Sequence, residues 1–126
     1  LSPQNSMKLS SSFILKRGDD LRKDQAVLQM FTFMNTLWKE NKNVYKDKAV
    51  SCLIYKCIPI GNDVGIIELI GNCIELNKIM TLKSTLKSTS ALFHQLIASS
   101  AGSFIASKVC GIRDRHDDNI LIDTKK

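Results

Sequence analysis

The residues best suited to chemistry lie together near the C-terminus, in the stretch GIRDRHDDNILI from Gly111 to Ile122. This stretch places acidic groups, two arginines and a histidine between two apolar runs, and a stable fold gains nothing by gathering so many charges at one turn. Asp114 precedes Asn119 by five residues. A carboxylate can orient or deprotonate an attacking hydroxyl, and an amide oxygen can bind magnesium, so this pair is suited to phosphoryl transfer.

The same Asp-x4-Asn spacing occurs in the catalytic loops of kinases. It indicates a kinase only when the elements upstream fit as well. The apolar run from Ser12 to Lys16 predicts a strand, and Gly18-Asp19-Asp20 predicts a turn with an aspartate that can cap a helix. Apolar residues then recur at three-and-four spacing from Leu21 to about Asn41, which predicts a long amphipathic helix.

The middle of the chain predicts further strands and a second long helix. The pattern predicts, in order, an exposed connection at Asn41 to Asp47, strands at Ala49 to Ile58 and Val64 to Ile70, a short helix at Cys73 to Met80, a polar loop at Thr81 to Ser90, and a helix at Ala91 to Val109. This order predicts an α+β fold with two lobes, residues 1–70 and 71–126, with the charged loop from Gly111 to Ile122 at their seam. Clefts between lobes are common ligand sites.

Composition is that of one ordinary soluble domain. The chain has 126 residues, of which 44% are hydrophobic and 24% charged. It has no run of about 18 apolar residues and no N-terminal secretion signal, which predicts a cytoplasmic protein. The four cysteines stand singly in apolar surroundings and form no Cys-x-x-Cys pair, which favours buried thiols in a reducing compartment over disulfides or zinc sites.

The net charge of +6 is compatible with nucleic acid, an anionic membrane or a phosphorylated ligand. The densest group of lysines comprises Lys39, Lys42, Lys46 and Lys48, in and beside the predicted exposed connection. No aromatic residues interleave with basic ones as in single-strand binders, so nucleic-acid binding is not predicted. Binding to an anionic membrane is a remaining hypothesis, because each basic residue near such a surface contributes about 1 kcal/mol to binding.

Two motifs carry a specific resemblance to a known family. FILKRGDDLRKDQAVLQMFTFMNTLWKEN, from Phe13 to Asn41, resembles the N-lobe segment of phosphoinositide 3-kinases. GIRDRHDDNILI is similar to the Asp-Arg-His-x-x-Asn catalytic loop of that family. The resemblance covers Phe13 to Asp123 and implies a two-lobed, protein-kinase-like α+β fold. It also implies an ATP- and Mg²⁺-dependent kinase that phosphorylates the inositol ring of a phosphoinositide, most simply at the 3-hydroxyl.

The resemblance assigns nucleotide-binding roles to residues of the first half. Lys16 would pair with the ATP phosphates, and Asp24 would face this lysine across the cleft. Tyr55 would line the back of the pocket, and the main chain at Glu68 and Ile70 would bind adenine. Without the resemblance, these positions would be assigned to a solvated lysine, a surface ion-pair partner, packing and an ordinary strand.

The same resemblance assigns the chemistry to the loop. Asp114 would act on the inositol hydroxyl, and His116 would handle a proton or stabilise the transferring phosphoryl group. Asn119 would bind Mg²⁺, and Arg115 would brace the loop. His94, with no ligand-like neighbours in its helix, is assigned to packing.

Departures from the family pattern keep other interpretations open. The phosphate-covering loop before Phe13 and an Asp-Phe-Gly segment after Asn119 are not found, so residues 1–126 alone are expected to show no measurable lipid kinase activity. Arg113 stands where 3-kinases generally have Gly and 4-kinases often have Lys, which leaves a 4-kinase as an alternative. A non-catalytic kinase-like scaffold is the second hypothesis. The expected partners are a phosphoinositide at a membrane surface and an adaptor subunit, and the expected location is cytoplasmic and peripheral to membranes.

Overall fold

The described part of the chain combines two long helices with short antiparallel strands. The computed structural model describes residues 12–78, 90–113 and 120–124. Its elements are, in order, β1 Ser12–Arg17, α1 Arg22–Glu40, β2 Val44–Tyr45, β3 Lys48–Ala49, β4 Cys57–Pro59, β5 Val64–Leu69, β6 Cys73–Glu75, α2 Ala91–Val109 and β7 Leu121–Asp123. The mixture agrees with the predicted α+β class, whereas the two lobes remain a prediction.

A three-stranded sheet in the order β1-β5-β4 is the platform of the first half. All its strands pair antiparallel, with Lys16 opposite Gly65 and Cys57 opposite Ile67. The first turns of α1 cover one face of this sheet. Leu21, Leu28 and Cys57 form the buried cluster between them, and Tyr55 and Ile67 pack against it.

The turn between β1 and α1 forms where the sequence predicts it. Gly18 has φ +84°, a conformation that side chains disfavour, and its N–H donates to the Asp63 carbonyl at 2.7 Å. Asp20 accepts from the backbone N–H of Arg22, the first residue of α1, at 3.1 Å and pairs with the Arg22 guanidinium. These bonds lower the pKa of the Asp20 carboxyl to about 2. The predicted aspartate cap was wrong in position, because the N-cap residue is Leu21, and Asp20 bonds the first helical N–H from one residue before it.

The predicted strand from Ala49 to Ile58 was wrong over most of its length. Only its ends lie in strands, because residues 50–56 have no regular structure. Within this segment, the Asn35 amide bonds both backbone groups of Cys52. It donates to the Cys52 carbonyl at 2.9 Å and accepts from the Cys52 N–H at 2.7 Å. On the other side, α2 approaches so closely at Gly102 that an added Cβ would lie 2.5 Å from the Ser51 carbonyl oxygen. A side chain and a helix therefore take the place of a neighbouring strand.

The prediction of a short helix at Cys73 to Met80 was also wrong. Cys73–Glu75 is strand β6, paired antiparallel with β7, and residues 76–78 form a single 3₁₀ turn. The pairing partner lies almost fifty residues further along the chain, so no local pattern could indicate it. Residues 79–89, which include most of the predicted polar loop, lie outside the described residues.

The predicted connection after α1 is exposed but is not without structure. Val44–Tyr45 and Lys48–Ala49 form a small hairpin, with Val44 opposite Ala49 and Tyr45 opposite Lys48. Tyr45 meets the ring of His94 on α2 edge to face, with ring centroids 5.8 Å apart. His94 is thus a packing residue, as predicted.

The cysteines are free thiols. Cys52 and Cys57 are buried, and burial raises the pKa of Cys52 to about 11. Cys73 and Cys110 are half-buried, so full burial was predicted correctly for only two of the four. Among the described residues, neither helix is both long enough and apolar enough to cross a membrane.

Candidate active site

Lys16 lies at the edge of the sheet, where strand β1 runs into the Gly18 turn. It is the fifth residue of β1 and stands opposite Gly65 of the central strand. Its side chain is 47% exposed, so the ammonium group reaches solvent while the strand fixes its origin. A cation in this position can bind an anionic ligand without a large desolvation cost.

Two aspartates act on Lys16 at different ranges. The Lys16 Nζ lies 2.6 Å from Oδ2 of Asp19, three residues along the chain. The hydrogen bond and the charge of Asp19 raise the pKa of Lys16, and the more distant charge of Asp24 and the Tyr55 side chain add to the same shift. Lys16, Asp24 and Tyr55, which the resemblance assigned to one pocket, therefore belong to one electrostatic neighbourhood. Asp19, assigned beforehand to the turn alone, is the direct partner of the lysine.

Cys57 marks where this neighbourhood meets the core. Burial raises the pKa of the Cys57 thiol, the charge of Asp24 raises it further, and the charge of Lys16 lowers it. The thiol also lies 3.7 Å from the Leu21 carbonyl oxygen. The cation and the acid therefore sit beside the packed contact between α1 and the sheet, which gives them a rigid support.

The contact between Leu21 and Gly65 sets the position of α1 on the sheet. Leu21 is fully buried, and a Cβ at Gly65 would overlap its Cδ1 and lie 2.9 Å from the Ile58 carbonyl. Since Gly65 stands opposite Lys16, the same contact fixes the helix that carries Asp24 relative to the lysine. The sequence analysis missed this pair, although a glycine inside an apolar strand is a known signal of close approach.

Glu68 and Ile70, the predicted adenine-binding positions, lie at the end of the central strand. The Glu68 N–H donates to the Lys56 carbonyl at 2.8 Å, and the Glu68 carboxylate accepts from the Lys56 N–H at 2.9 Å. Ile70 follows directly after β5 and is half-buried. The Glu68 carboxylate thus holds the segment that carries Tyr55 against the strand.

The predicted catalytic loop begins from a well-defined helix end. The Gly111 N–H donates to the Lys108 carbonyl at 3.2 Å, and the Ile112 N–H donates to the Ser107 carbonyl at 2.9 Å. Gly111 has φ +67°, so α2 ends in a Schellman motif with the glycine in the left-handed position. This motif ends α2 at Val109, four residues before Arg113.

The other end of the loop is tied to the segment that follows Ile70. The Leu76 N–H donates to the Ile120 carbonyl at 2.9 Å, and the Thr124 N–H donates to the Asn72 carbonyl at 3.0 Å. Strand β7 therefore leaves the loop beside β6, a few residues beyond the predicted adenine-binding position. Asp114, Arg115, His116 and Asn119 lie outside the described residues, so their geometry stays a prediction. Within the described ranges, no group of three His, Cys, Asp or Glu side chains could hold a metal ion.

Comparison with known proteins identifies the family of this chain. The family model described as phosphatidylinositol 3- and 4-kinase matches residues 10–92, which is more than half of the chain. The chain belongs to the phosphatidylinositol 3- and 4-kinase family. The predicted family is therefore confirmed, and the family implies a kinase-like fold.

Two curated relatives align with more of the chain than the family model does. The human phosphatidylinositol 3-kinase C2 domain-containing subunit gamma is 28% identical over 137 aligned residues, which cover 94% of this chain. Phosphatidylinositol 3-kinase 3 of Dictyostelium discoideum is 32% identical over 130 aligned residues, which cover 87% of this chain. The chain spans 9% and 7% of the lengths of these two relatives.

Proposed function

We propose that this chain is part of a lipid kinase that transfers the terminal phosphoryl group of ATP to the inositol ring of a phosphoinositide, and that residues 1–126 alone show no measurable turnover. The observation that carries the proposal is the surroundings of Lys16, an exposed ammonium on a strand end that interacts with Asp19, Asp24 and Tyr55. A lysine ammonium is a cation at neutral pH, and a compact cation fits the phosphates of a nucleotide.

The roles within this site follow from position. Lys16 holds phosphate oxygens, and Asp24 on α1 biases the ammonium toward them from a distance. Tyr55, half-buried against the core, closes the inner side of the pocket. Backbone groups near Glu68 and Ile70 bind the adenine, because this strand end lies at the boundary between the first and second halves of the chain. Phosphoryl transfer needs mainly positioning and charge neutralisation, and these residues supply both.

The loop supplies the remaining groups in this proposal. Asp114 orients the attacking hydroxyl, His116 handles a proton or stabilises the transferring group, and Arg115 braces the loop. Asn119 binds Mg²⁺, which neutralises phosphate charge when bound. The metal assignment depends on the family motif, since the described residues contain no cluster of three His, Cys, Asp or Glu side chains that could hold a metal ion.

The 3-hydroxyl is the proposed acceptor. Its support is that both curated relatives above are named phosphatidylinositol 3-kinases. A lipid acceptor places the protein at the cytoplasmic face of a membrane as a peripheral enzyme. A regulatory subunit is a further proposed partner, and a relative named as a subunit supports it.

Nucleotide binding by Lys16 can be tested by thermal denaturation with ATP and Mg²⁺. ATP at about ten times its Kd should raise the melting temperature by roughly 5 °C, because ligand binding to the folded state adds about 1.4 kcal/mol to its stability. We expect Lys16→Ala to abolish the rise. Lys23→Ala, which removes an exposed lysine from the first turn of α1, is the matched control and should keep it. Equal rises in both variants would refute the site.

A further inference from the structure

Two lysines outside the active site occupy backbone conformations that favour glycine or asparagine. Lys42 has φ 53° and Lys46 has φ 47°, and Asp47 beside it has φ 68°. Lys42 follows α1, where its N–H donates to the Lys39 carbonyl and the Asn43 N–H donates to the Trp38 carbonyl. This is the Schellman pattern that also ends α2, where Gly111 takes the left-handed position.

The second lysine lies in the two-residue turn of the hairpin formed by β2 and β3. Lys46 and Asp47 form the two-residue connection between β2 and β3, and both have positive φ, as in a type I′ turn. Such turns favour Asn-Gly or Asp-Gly. Two lysines in one short segment thus stand where a smaller residue would fit with less strain. Backbone strain that persists in this way is a reason to ask what the side chains do.

The lysine hairpin, residues 39–49, carries more positive than negative charge. Its four lysines are Lys39, Lys42, Lys46 and Lys48, and its acidic residues are Glu40 and Asp47, so its net charge is 4 − 2 = +2. The ion pairs among the described residues join Lys16 to Asp19, Arg22 to Asp20 and Lys78 to Glu75, and none includes a lysine of the hairpin. These ammonium groups are therefore available to an external anionic partner.

The lysine hairpin also presents an apolar side chain to solvent. Tyr45 packs on His94, which directs the Tyr45 side of the hairpin toward α2. Val44 points to the other side of the strand and is 61% exposed, and its partner Ala49 is exposed too. Lysines flanking an exposed valine match a surface that touches the headgroup layer of a membrane, where the ammonium groups meet lipid phosphates and the valine meets the acyl boundary.

We propose that the lysine hairpin docks the protein on anionic membranes. The proposal deepens the function proposed above, because a kinase acting on a lipid must hold its cleft near the bilayer. A membrane fits better than nucleic acid, since Tyr45, the one aromatic ring of the hairpin, packs edge to face on His94 and the more exposed apolar side chain, Val44, is aliphatic. The interaction needs no specific headgroup, only negative surface charge.

Co-sedimentation with phosphatidylserine-containing vesicles tests the proposal through a variant designed to keep the fold. Lys42→Gly with Lys46→Asn removes both charges and supplies residues that suit the left-handed positions. We expect its melting temperature to rise while its partition onto vesicles falls about 30-fold, since each lysine near an anionic surface contributes about fivefold. Val44→Thr, which preserves shape, should weaken the part of binding that resists added salt.

The matched control removes two exposed lysines elsewhere, as Lys23→Gln with Lys56→Gln. It changes the net charge equally and should lower the partition by less than about threefold, because neither lysine belongs to the lysine hairpin. Equal losses in the two double variants would show that net charge alone drives adsorption and would overturn the proposal. Hairpin-dependent binding to duplex DNA without vesicle binding would overturn it as well.

The ATP-induced rise in melting temperature separates this inference from the proposed function. A hairpin variant that loses vesicle binding but keeps the rise supports both. Hairpin-dependent vesicle binding in a protein that shows no rise with ATP would retain the docking surface and reject the kinase site.

Discussion

At the scale of residues, the Lys16 ammonium pairs with Asp19, and the charge of Asp24 and the Tyr55 side chain add to its raised pKa. A nucleotide site formed by Lys16, Asp24 and Tyr55 stays a prediction from the resemblance. The direct partner is Asp19, because the Gly18 turn folds the chain back on itself and brings a carboxylate three residues away to 2.6 Å. A motif records residue types and spacing, whereas this pairing depends on the φ of one glycine.

The Lys16–Asp19 pair has a consequence for nucleotide affinity. Asp19 competes with phosphate oxygens for the ammonium and adds a negative charge next to them. Because an exposed ion pair contributes about 1 kcal/mol at most, we expect Asp19→Asn to tighten ATP binding by up to about fivefold. Calorimetric titration at two salt concentrations checks this, and the gain should shrink at high salt. Weaker binding of ATP by Asp19→Asn would mean that the carboxylate positions the lysine rather than competing for it.

At the scale of elements, sequence patterns predicted the helices and strands whose signals lie within one segment. They missed the strand that depends on a partner remote in sequence. Both long helices and strands β1 and β5 fall within a residue or so of their predicted bounds, because periodicity and capping residues lie within each segment. Strand β6 was predicted as helix because its partner β7 is remote in sequence. The predicted strand after residue 49 was replaced by an irregular segment because the Asn35 amide satisfies the Cys52 backbone groups.

The contact between α1 and the sheet makes a prediction for stability. Gly65→Ala must displace Leu21 or the Ile58 carbonyl, so we expect a loss of about 1–3 kcal/mol and a fall in melting temperature of roughly 5–10 °C. Gly71→Ala is the matched control, because nothing lies within 4 Å of a Cβ there. Its melting temperature should stay within about 2 °C of the parent. Similar falls at both positions would show that Leu21 does not determine the packing of α1.

At the scale of the whole molecule, the candidate site is assembled from distant parts of the chain. A cation comes from the first strand, an acid from the first helix, and a predicted adenine-binding strand end from the middle. The predicted catalytic loop lies between the Schellman end of α2 and the strand β7, which pairs beside that same strand end. The members of this set come from the family motif, and their convergence on one site stays a prediction. The sequence could not predict β6 and β7, the pairing that ties one end of the loop to the middle of the chain.

The central claim is that the Lys16 ammonium binds the phosphates of a nucleotide, and affinity labelling tests it most directly. An acyl phosphate of ATP transfers its acyl group to a lysine held beside the bound phosphates, and peptide mass spectrometry identifies that lysine. The account predicts dominant labelling of Lys16 that excess ATP suppresses, with the hairpin lysines labelled weakly and without competition. Labelling spread evenly over the exposed lysines, unaffected by ATP, would contradict it.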